Sequence, residues 1–199
     1  MASNIVKSGK ITAVALDFDG VITSLDIDWH AAICQASAIA GYDVKSLLLF
    51  YNEQYGKPLF EKVSDEMEKL ELESIKRAQL LPYVKEALTR LSEKGVDLFI
   101  VSMQTAKVIS EFLNKHQLSG YFKDVVTREK CPNKKAQVEY VLKIYNINPS
   151  KLLLVDDLKR NIVSCNELGV VCFHFQAKTG FLWKQDTAKE AWDKILATT

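Results

Sequence analysis

The chain has 199 residues, of which 48% are hydrophobic and 26% charged, and its formal net charge is +1. This balance is typical of one globular domain, or of one domain that carries a sizeable insertion. The near-zero net charge argues against a nucleic-acid or membrane-surface partner, because both demand clustered basic residues.

No segment resembles a targeting signal or a membrane span. The residues before Asp17 contain no apolar stretch long enough for the core of a signal peptide, and no run approaches the ~20 apolar residues of a transmembrane helix. The cysteines show neither paired spacing nor clustered histidines: Cys34, Cys131, Cys165 and Cys172. We therefore expect reduced, mostly buried thiols in a cytoplasmic protein rather than a disulfide framework or a zinc site.

Short apolar runs rich in β-branched residues alternate with amphipathic stretches of helical length. The first run is ITAVALD at 11–17, and the segment that follows it, residues 24–80, contains no strand-like run and predicts several helices. Further strand-like runs lie at 96–102, 124–127, 151–157 and 170–175. Their continuous hydrophobicity predicts strands that are covered on both faces, as in a parallel sheet flanked by helices.

The helical stretches between the later runs carry boundary signals. Pro82 predicts a first helical residue, and Gly95 and Gly169 predict positions just past helix ends. The strand–helix–strand rhythm predicts βαβ units with right-handed crossovers. We therefore predict an α/β fold, a Rossmann-like, doubly wound and mostly parallel sheet. Its core domain would comprise residues 1–23 and 81–199, with a small helical domain, residues 24–80, inserted after the first strand.

Polar side chains stand at the ends of three predicted strands. Asp17 and Asp19 end the first strand, and both point in the same direction because side chains alternate along a strand. The later strand ends carry Ser102, Asp156 and Asp157. If the strands are parallel, all these groups lie at one edge of the sheet, where doubly wound folds bind their ligands.

Carboxylates that converge on one site repel each other unless a cation lies among them. Ligation by oxygen alone favours a hard ion, most simply octahedral Mg²⁺ that keeps some of its waters. Such a site, beside a spare carboxylate, a hydroxyl and a lysine, suits phosphoryl transfer. A carboxylate is already ionised at pH 7 and can act as the nucleophile, while a second carboxyl two residues on can serve as general acid and base.

In this order and spacing, the residues resemble the motifs of the haloacid dehalogenase-like hydrolase superfamily. VALDFDGV matches the first motif, LFIVS the second, Lys134 the third, and VDDLKRNI the acidic fourth. The resemblance covers residues 11–175, and the segment 24–80 has the position and size of the family's small helical cap. The C-terminal part also resembles small magnesium-dependent phosphatases of the same superfamily, which lack a cap of this size.

The resemblance implies a phosphatase that hydrolyses a small phosphate monoester of a phosphorylated metabolite through an aspartyl-phosphate, with Mg²⁺ as cofactor. It implies Asp17 as the nucleophile and a metal ligand. It implies Asp19 as the general acid and base, which also ligates the metal through its backbone carbonyl. The dehalogenase branch of the family lacks this second acid, so an aspartate at position 19 favours phosphate esters.

The remaining motifs imply the other site residues. Ser102 and Lys134 would hold the phosphoryl oxygens, and Asp157 would complete the metal site. The fourth motif departs from the family pattern, because Asp156 replaces a Gly or Glu and Asn161 replaces a later acidic residue. Asp156 either makes up for that missing acid at the metal or supports the site without touching the ion, and the sequence leaves both open.

Three other functions fit part of this pattern. A receiver-type signalling domain also gathers aspartates, a hydroxyl and a lysine around Mg²⁺, but it carries its acidic pair on the first strand, which contradicts the order here. A phosphomutase or phosphotransferase would use the same intermediate and differ only in the group that accepts the phosphoryl. A non-catalytic binding protein on an inactive fold of the same family is disfavoured because every predicted catalytic position is occupied.

The helical segment has two features with alternative roles. Tyr51, Tyr55 and Phe60 are spaced either to form its own core or to line a substrate face, and the core is favoured. Lys57 and Arg77 could reach an anionic substrate, although the alternating charges around them fit a solvated face equally well. No residue selects one phosphate ester over another or specifies an oligomeric state.

Overall fold

The structure, a computed structural model, describes residues 10–176, 178–179, 182–183 and 185–199. Five parallel strands form its central sheet: β1 (Ala13–Leu16), β2 (Asp97–Val101), β3 (Asp124–Val126), β4 (Leu152–Asp156) and β5 (Val171–His174). Their order across the sheet is β3-β2-β1-β4-β5. The predicted α/β fold with a parallel sheet is confirmed.

The first strand, β1, lies at the centre of the sheet. Leu16 is paired with Ile100 of β2 on one side and with Val155 of β4 on the other. Val14 and Leu16 pack into the apolar cluster on one face, whereas the alanines of β1 pack into the cluster on the opposite face. Because both faces are covered, the strand is apolar throughout rather than alternating.

Three helices form an insert between β1 and β2: α1 (Trp29–Ala40), α2 (Leu47–Gln54) and α3 (Pro58–Arg77). Asp28 begins α1 by accepting hydrogen bonds from two backbone N–H groups of its first turn, each at 3.0 Å. The insert has its own apolar cluster, which includes Phe50, Phe60 and Met67. A helical insert is therefore confirmed, while the division into domains at residues 23 and 80 stays a prediction.

The remaining helices are α4 (Val84–Glu93), α5 (Ala106–Lys115), α6 (Lys134–Ile144), α7 (Lys159–Asn166) and α8 (Gln185–Thr198). A short antiparallel pair, β6 (Lys178–Thr179) and β7 (Leu182–Trp183), precedes α8. On one face of the sheet α4, α5 and α8 bury Leu88, Phe112 and Trp192, and on the other α6 and α7 bury Val138 and Cys165. Helices on both faces make the sheet doubly wound. Within the described residues, no helix is long and apolar enough to cross a membrane.

The start of α4 differs from the prediction. The helix begins at Val84 rather than at Pro82, because Tyr83 between them has a left-handed backbone with a φ of 65°. Gly95 and Gly169 lie shortly past the ends of α4 and α7, as predicted. Both have the positive φ, 72° and 75°, that commonly follows a helix end.

Candidate active site

The predicted acidic residues lie at the carboxyl ends of β1 and β4, where the strand order reverses. Asp17 directly follows β1, and its backbone N–H donates to the carbonyl of Val155 at 2.9 Å. Its side chain is almost completely buried. Phe18 points the other way and packs edge-on against Phe112 with the ring centroids 5.2 Å apart. The alternation of the strand therefore turns Asp17 towards the ligand edge of the sheet.

A tight loop after β1 positions Asp19. The N–H of Gly20 donates to the carbonyl of Thr23 at 2.8 Å, and Oδ1 of Asp19 accepts the N–H of Leu25 at 2.8 Å. Gly20 has a φ of 86°, and a Cβ at this position would lie 2.3 Å from Oδ2 of Asp157. The loop therefore requires glycine for two reasons: the left-handed backbone and the carboxylate that fills the space beside it.

Three carboxylates from the two strand ends meet in a cluster. Oxygens of Asp17, Asp156 and Asp157 all lie within 4.8 Å of one another. One ammonium serves two of them: Nζ of Lys134 lies 2.9 Å from Oδ1 of Asp17 and 3.3 Å from Oδ2 of Asp156. Three ionised carboxylates beside one ammonium leave an excess of two negative charges. That excess and the oxygen donors fit a divalent, hard cation such as Mg²⁺.

Lys134 is the first residue of α6, and its side chain is buried. Besides the two carboxylates, its ammonium contacts the carbonyl of Val101. Burial by itself lowers the pKa of Lys134, but the carboxylates outweigh this effect and hold the pKa above its ordinary value. The neighbouring Lys135 points elsewhere and pairs with Glu167 at 2.7 Å. Of the two lysines, it is therefore Lys134 that stands beside the carboxylates.

Burial also governs the acidic groups of the cluster. It raises the pKa of Asp17 well above its ordinary value, an effect that Lys134 opposes and that Asp156 and Asp157 increase. Burial likewise raises the pKa of Asp157 to about 7, and repulsion from Asp156 and Asp19 adds to it. A bound cation would reverse both shifts, because it stabilises the charged form of each carboxylate.

Asp156 is held by several hydrogen bonds from the protein. Both of its carboxylate oxygens accept from Nδ2 of Asn161 at 3.0 Å, and Oδ1 also accepts the N–H of Leu158 at 2.8 Å. Together with Lys134, these donors engage both oxygens. Asn161, which stands where the family motif has an acidic residue, thus contacts the cluster through Asp156.

Ser102 follows β2 directly, but its hydroxyl is used within the protein. The residue is completely buried, its hydroxyl donates to the side chain of Gln104, and its carbonyl accepts from Nε2 of Gln137 at 2.6 Å. Met103 and Gln104, rather than Ser102, are the residues after β2 that line the cavity beside the cluster. A phosphate-binding role for Ser102 stays a prediction, and it requires the hydroxyl to leave Gln104.

A cavity of about 810 Å³ opens in front of Asp17, Asp19, Lys134 and Asp157. The helical insert forms its far wall with the side chains of Trp29, Ile33, Leu47, Leu48, Tyr51 and Glu71. The expectation that the aromatic residues form the core of the insert holds for Tyr51 and Phe60, whose rings pack 5.6 Å apart. Tyr51 also lines the cavity, so this residue belongs both to the core of the insert and to the face that the insert turns towards the cavity.

A buried ion pair that no motif reveals joins the insert to the sheet. Arg128, two residues after β3, is completely buried, and its Nη1 lies 2.6 Å from Oε1 of Glu71 on α3. It also donates to the carbonyls of Met103 and Ser64, at 2.7 and 2.8 Å, and lies 5.2 Å from the centre of the Tyr51 ring. The available signal was its position, because a charged residue here follows a predicted strand end as the aspartates do.

Residues 14–175 match the family described as haloacid dehalogenase-like hydrolase. The chain belongs to this family. It is 30% identical over 101 residues to a phosphoglycolate phosphatase of Vibrio vulnificus, a match that covers 49% of this chain and 44% of the relative. It is 35% identical over 101 residues to magnesium-dependent phosphatase 1 of Homo sapiens, covering 49% and 55% respectively. The chain thus spans about half the length of the curated relatives it matches.

Solved structures share the fold over nearly the whole chain. A haloacid dehalogenase-like family hydrolase from Streptococcus pneumoniae matches with a TM-score of 0.63 and 18% identity, covering 94% of this chain and 97% of the other. A phosphatase of the same superfamily from Thermococcus onnurineus matches with a TM-score of 0.62 and 16% identity, covering 93% and 98%. At these identities the similarity establishes the fold.

Proposed function

We propose that this protein hydrolyses a small phosphate monoester, of a cytoplasmic metabolite, with Mg²⁺ and through an aspartyl-phosphate on Asp17. The observation that carries the proposal is the carboxylate cluster, in which oxygens of Asp17, Asp156 and Asp157 lie within 4.8 Å beside Lys134. Membership of the hydrolase family and the phosphatase names of the matched relatives support the same chemistry.

Mg²⁺ supplies the positive charge that attracts a phosphate to a cluster of carboxylates and offsets the charge on its oxygens. In this proposal Asp17 and Asp157 hold the ion, together with the backbone carbonyl of Asp19. Asp156 supports the site from behind, because the hydrogen bonds from Asn161 and Lys134 already engage both of its oxygens. Its role would be to fix the position of the Lys134 ammonium.

Asp17 is the proposed nucleophile. One of its carboxylate oxygens would form a bond to phosphorus while the bond from phosphorus to the ester oxygen breaks. Lys134, which touches Asp17 at 2.9 Å, would hold a phosphoryl oxygen, with the Ser102 hydroxyl as the second predicted donor. The raised pKa of Lys134 keeps its ammonium charged at neutral pH, so the positive partner is present before the reaction begins.

Asp19 is the proposed general acid and base. It would give a proton to the leaving oxygen and then take a proton from the water that hydrolyses the phosphorylated Asp17. Asp19 lines the same cavity as Asp17, and the hydrogen bond from the N–H of Leu25 fixes one oxygen of its carboxylate. That fixed position lets a single group serve both half-reactions.

The test is phosphate release from an aryl phosphate in the presence of Mg²⁺. We expect Asp17→Asn to abolish turnover while its circular dichroism and melting temperature stay close to wild type, and removal of Mg²⁺ by a chelator to do the same reversibly. Asp43→Asn, an exposed aspartate paired with Lys45, is the matched control and should keep full activity. Wild-type turnover by Asp17→Asn would refute the nucleophile. Isomerisation of a sugar phosphate without phosphate release would favour the phosphomutase. Inactivity on all phosphate esters would favour the non-catalytic binding protein.

A further inference from the structure

The far wall of the cavity carries acidic and apolar side chains but no basic one. Among the described residues of the insert that line the cavity, the charged ones are Asp26 and Glu71. The two basic residues that the sequence suggested for an anionic substrate are engaged elsewhere. Lys57 donates to the carbonyl of Glu53 at 2.7 Å, and Arg77 lies 3.9 Å from Glu73 on the surface of α3.

The basic residues that do line the cavity belong to the sheet side. Lys134 is bound to the carboxylate cluster, and Nε2 of His174 lies 2.9 Å from the carbonyl of Asp157. Arg160 stands at the exposed start of α7. A leaving group that extends from the phosphate towards the insert therefore moves away from these three side chains and towards Glu71.

Glu71 lines this wall, and one oxygen of its buried carboxylate has no well-placed donor. Its side chain is 2% exposed, and Oε1 is fixed by the ion pair with Arg128. Oε2 is buried and accepts no hydrogen bond of ordinary geometry from any described residue. Burial raises the pKa of Glu71 to about 7, although Arg128 and the backbone N–H of Thr105 oppose the shift, and repulsion from Asp19 adds to it. A buried carboxylate oxygen without a donor is unfavourable unless a ligand supplies one.

The size of the cavity adds a second constraint. Its volume of about 810 Å³ lies in the upper part of the range of roughly 300–1,000 Å³ for pockets that enclose an organic ligand. Trp29, Ile33 and Leu48 give the far wall an apolar surface on which a ring can pack. Glycolate, the leaving group of phosphoglycolate, would fill little of this space, and the described residues of the far wall offer its carboxylate no cation.

We propose that Glu71 selects the leaving group, and that the substrate is the phosphate ester of a ring-sized alcohol with an ammonium or hydroxyl donor for Oε2. Esters whose leaving group carries a carboxylate, phosphoglycolate included, are disfavoured. This inference rests on the proposed phosphatase activity. Arg128 acts as a positioning residue, since its bonds to Ser64 and Met103 hold the guanidinium that orients Glu71.

Three aryl phosphates of matched shape test the selection: 4-ethylphenyl, 4-(2-aminoethyl)phenyl and 4-(carboxymethyl)phenyl phosphate. The methylene next to the ring keeps the acidity of the three phenols similar. Differences in kcat/KM among the three esters therefore reflect the group at the far end of the substituent. For the wild type with Mg²⁺ we expect the kcat/KM of the aminoethyl ester to exceed that of the ethyl ester by about 10-fold, as for a charge-assisted hydrogen bond. The carboxymethyl ester should fall about 10-fold below the ethyl ester, because like charges oppose its binding.

The variant Glu71→Gln tests whether Glu71 causes this preference, because the amide keeps an oxygen for Arg128 and replaces Oε2 by an N–H donor. We expect the aminoethyl ester to lose its advantage and the carboxymethyl ester to gain about 10-fold, with the ethyl ester little changed. Glu73→Gln, on the exposed face of the same helix, is the matched control and should keep the wild-type order.

The outcomes separate the two proposals. No hydrolysis of any ester would overturn the phosphatase activity itself. Hydrolysis of all three at equal rates, or a preference for the carboxymethyl ester, would leave the phosphatase standing and overturn the role of Glu71. If Glu71→Gln does not fold, the order of the three esters on the wild-type protein still decides.

Discussion

Replacing Gly20 by alanine is predicted to disable the proposed metal site by steric displacement. The new Cβ would lie 2.3 Å from Oδ2 and 2.4 Å from Cγ of Asp157, whereas ordinary contact begins at 3.4 Å. The carboxylate must therefore retreat by about 1 Å, since Gly20 belongs to a tight loop that is hydrogen-bonded at Thr23. Mg²⁺ demands ligand oxygens at about 2.0–2.1 Å, so a shift of this size would remove Asp157 from the ion in the proposed site.

The expected effect of Gly20→Ala has two parts, a loss of stability and a loss of Mg²⁺ affinity, which the control variant Gly41→Ala separates. A side chain at a positive φ costs about 1–2 kcal/mol of stability, and this part is shared by Gly41, where φ is 76° and a Cβ would meet nothing within 4 Å. Gly41→Ala should therefore lower the free energy of unfolding by this amount and leave the Mg²⁺ affinity unchanged. Gly20→Ala should show a similar strain and, in addition, weaken Mg²⁺ binding about 10- to 100-fold, as disturbed metal sites do.

Urea denaturation with a chelator present measures the strain of each variant, and calorimetric titration with Mg²⁺ measures the affinity. The reasoning would be refuted if Gly20→Ala bound Mg²⁺ as tightly as both the wild-type protein and the Gly41→Ala variant. Equal loss of affinity in both variants would also refute it, because the effect would then come from general destabilisation rather than from Asp157.

Three further predictions concern groups around the cluster. Asp19→Asn should slow turnover about 100-fold or more on an alkyl phosphate but far less on 4-nitrophenyl phosphate, whose leaving group needs no proton; equal losses would remove its acid role. Arg128→Met should lower the free energy of unfolding by about 3–5 kcal/mol, since it leaves the Glu71 carboxylate buried and unpaired; adding Glu71→Leu should restore most of the loss in urea denaturation. Because the pKa of Glu71 rises from 4.5 to about 7, the folded protein keeps a proton there that the unfolded chain releases. The contribution of Glu71 to the free energy of unfolding should thus fall by about 3 kcal/mol as pH rises through that window, and the chelator-treated Glu71→Gln protein should lack this decline.

The sequence was sufficient for the strands and for the acidic residues that follow them. The run that ends in Asp17 is apolar without alternation, which is typical only of a strand buried on both faces. Once the strands are parallel, their carboxyl ends share one edge. Periodicity and strand direction therefore predicted that the acidic residues lie at this edge, and the pairing of β1 with β4 makes Asp17 and Asp157 neighbours there.

Features that depend on how the insert packs on the sheet were not predictable in this way. The pair between Glu71 and Arg128 joins residues 57 positions apart, one on a helix whose charges otherwise resemble a solvated face. The hydrogen bond from Ser102 to Gln104 depends on the rotamers of the two side chains, which the spacing of residues along a strand does not determine. Proline favours the first position of a helix, but Tyr83, which follows Pro82, has a left-handed backbone conformation. The helix therefore begins after Tyr83 and not at Pro82.

The central position of β1 has a consequence for how the protein is made. Leu16 is paired with Ile100 and Val155, so β1 waits for two partners that are synthesised much later than itself. Contacts this distant in sequence form slowly, because a long loop must close before they are gained. During synthesis Asp17 therefore emerges long before Asp157, and the carboxylate cluster forms only after β4 has been made.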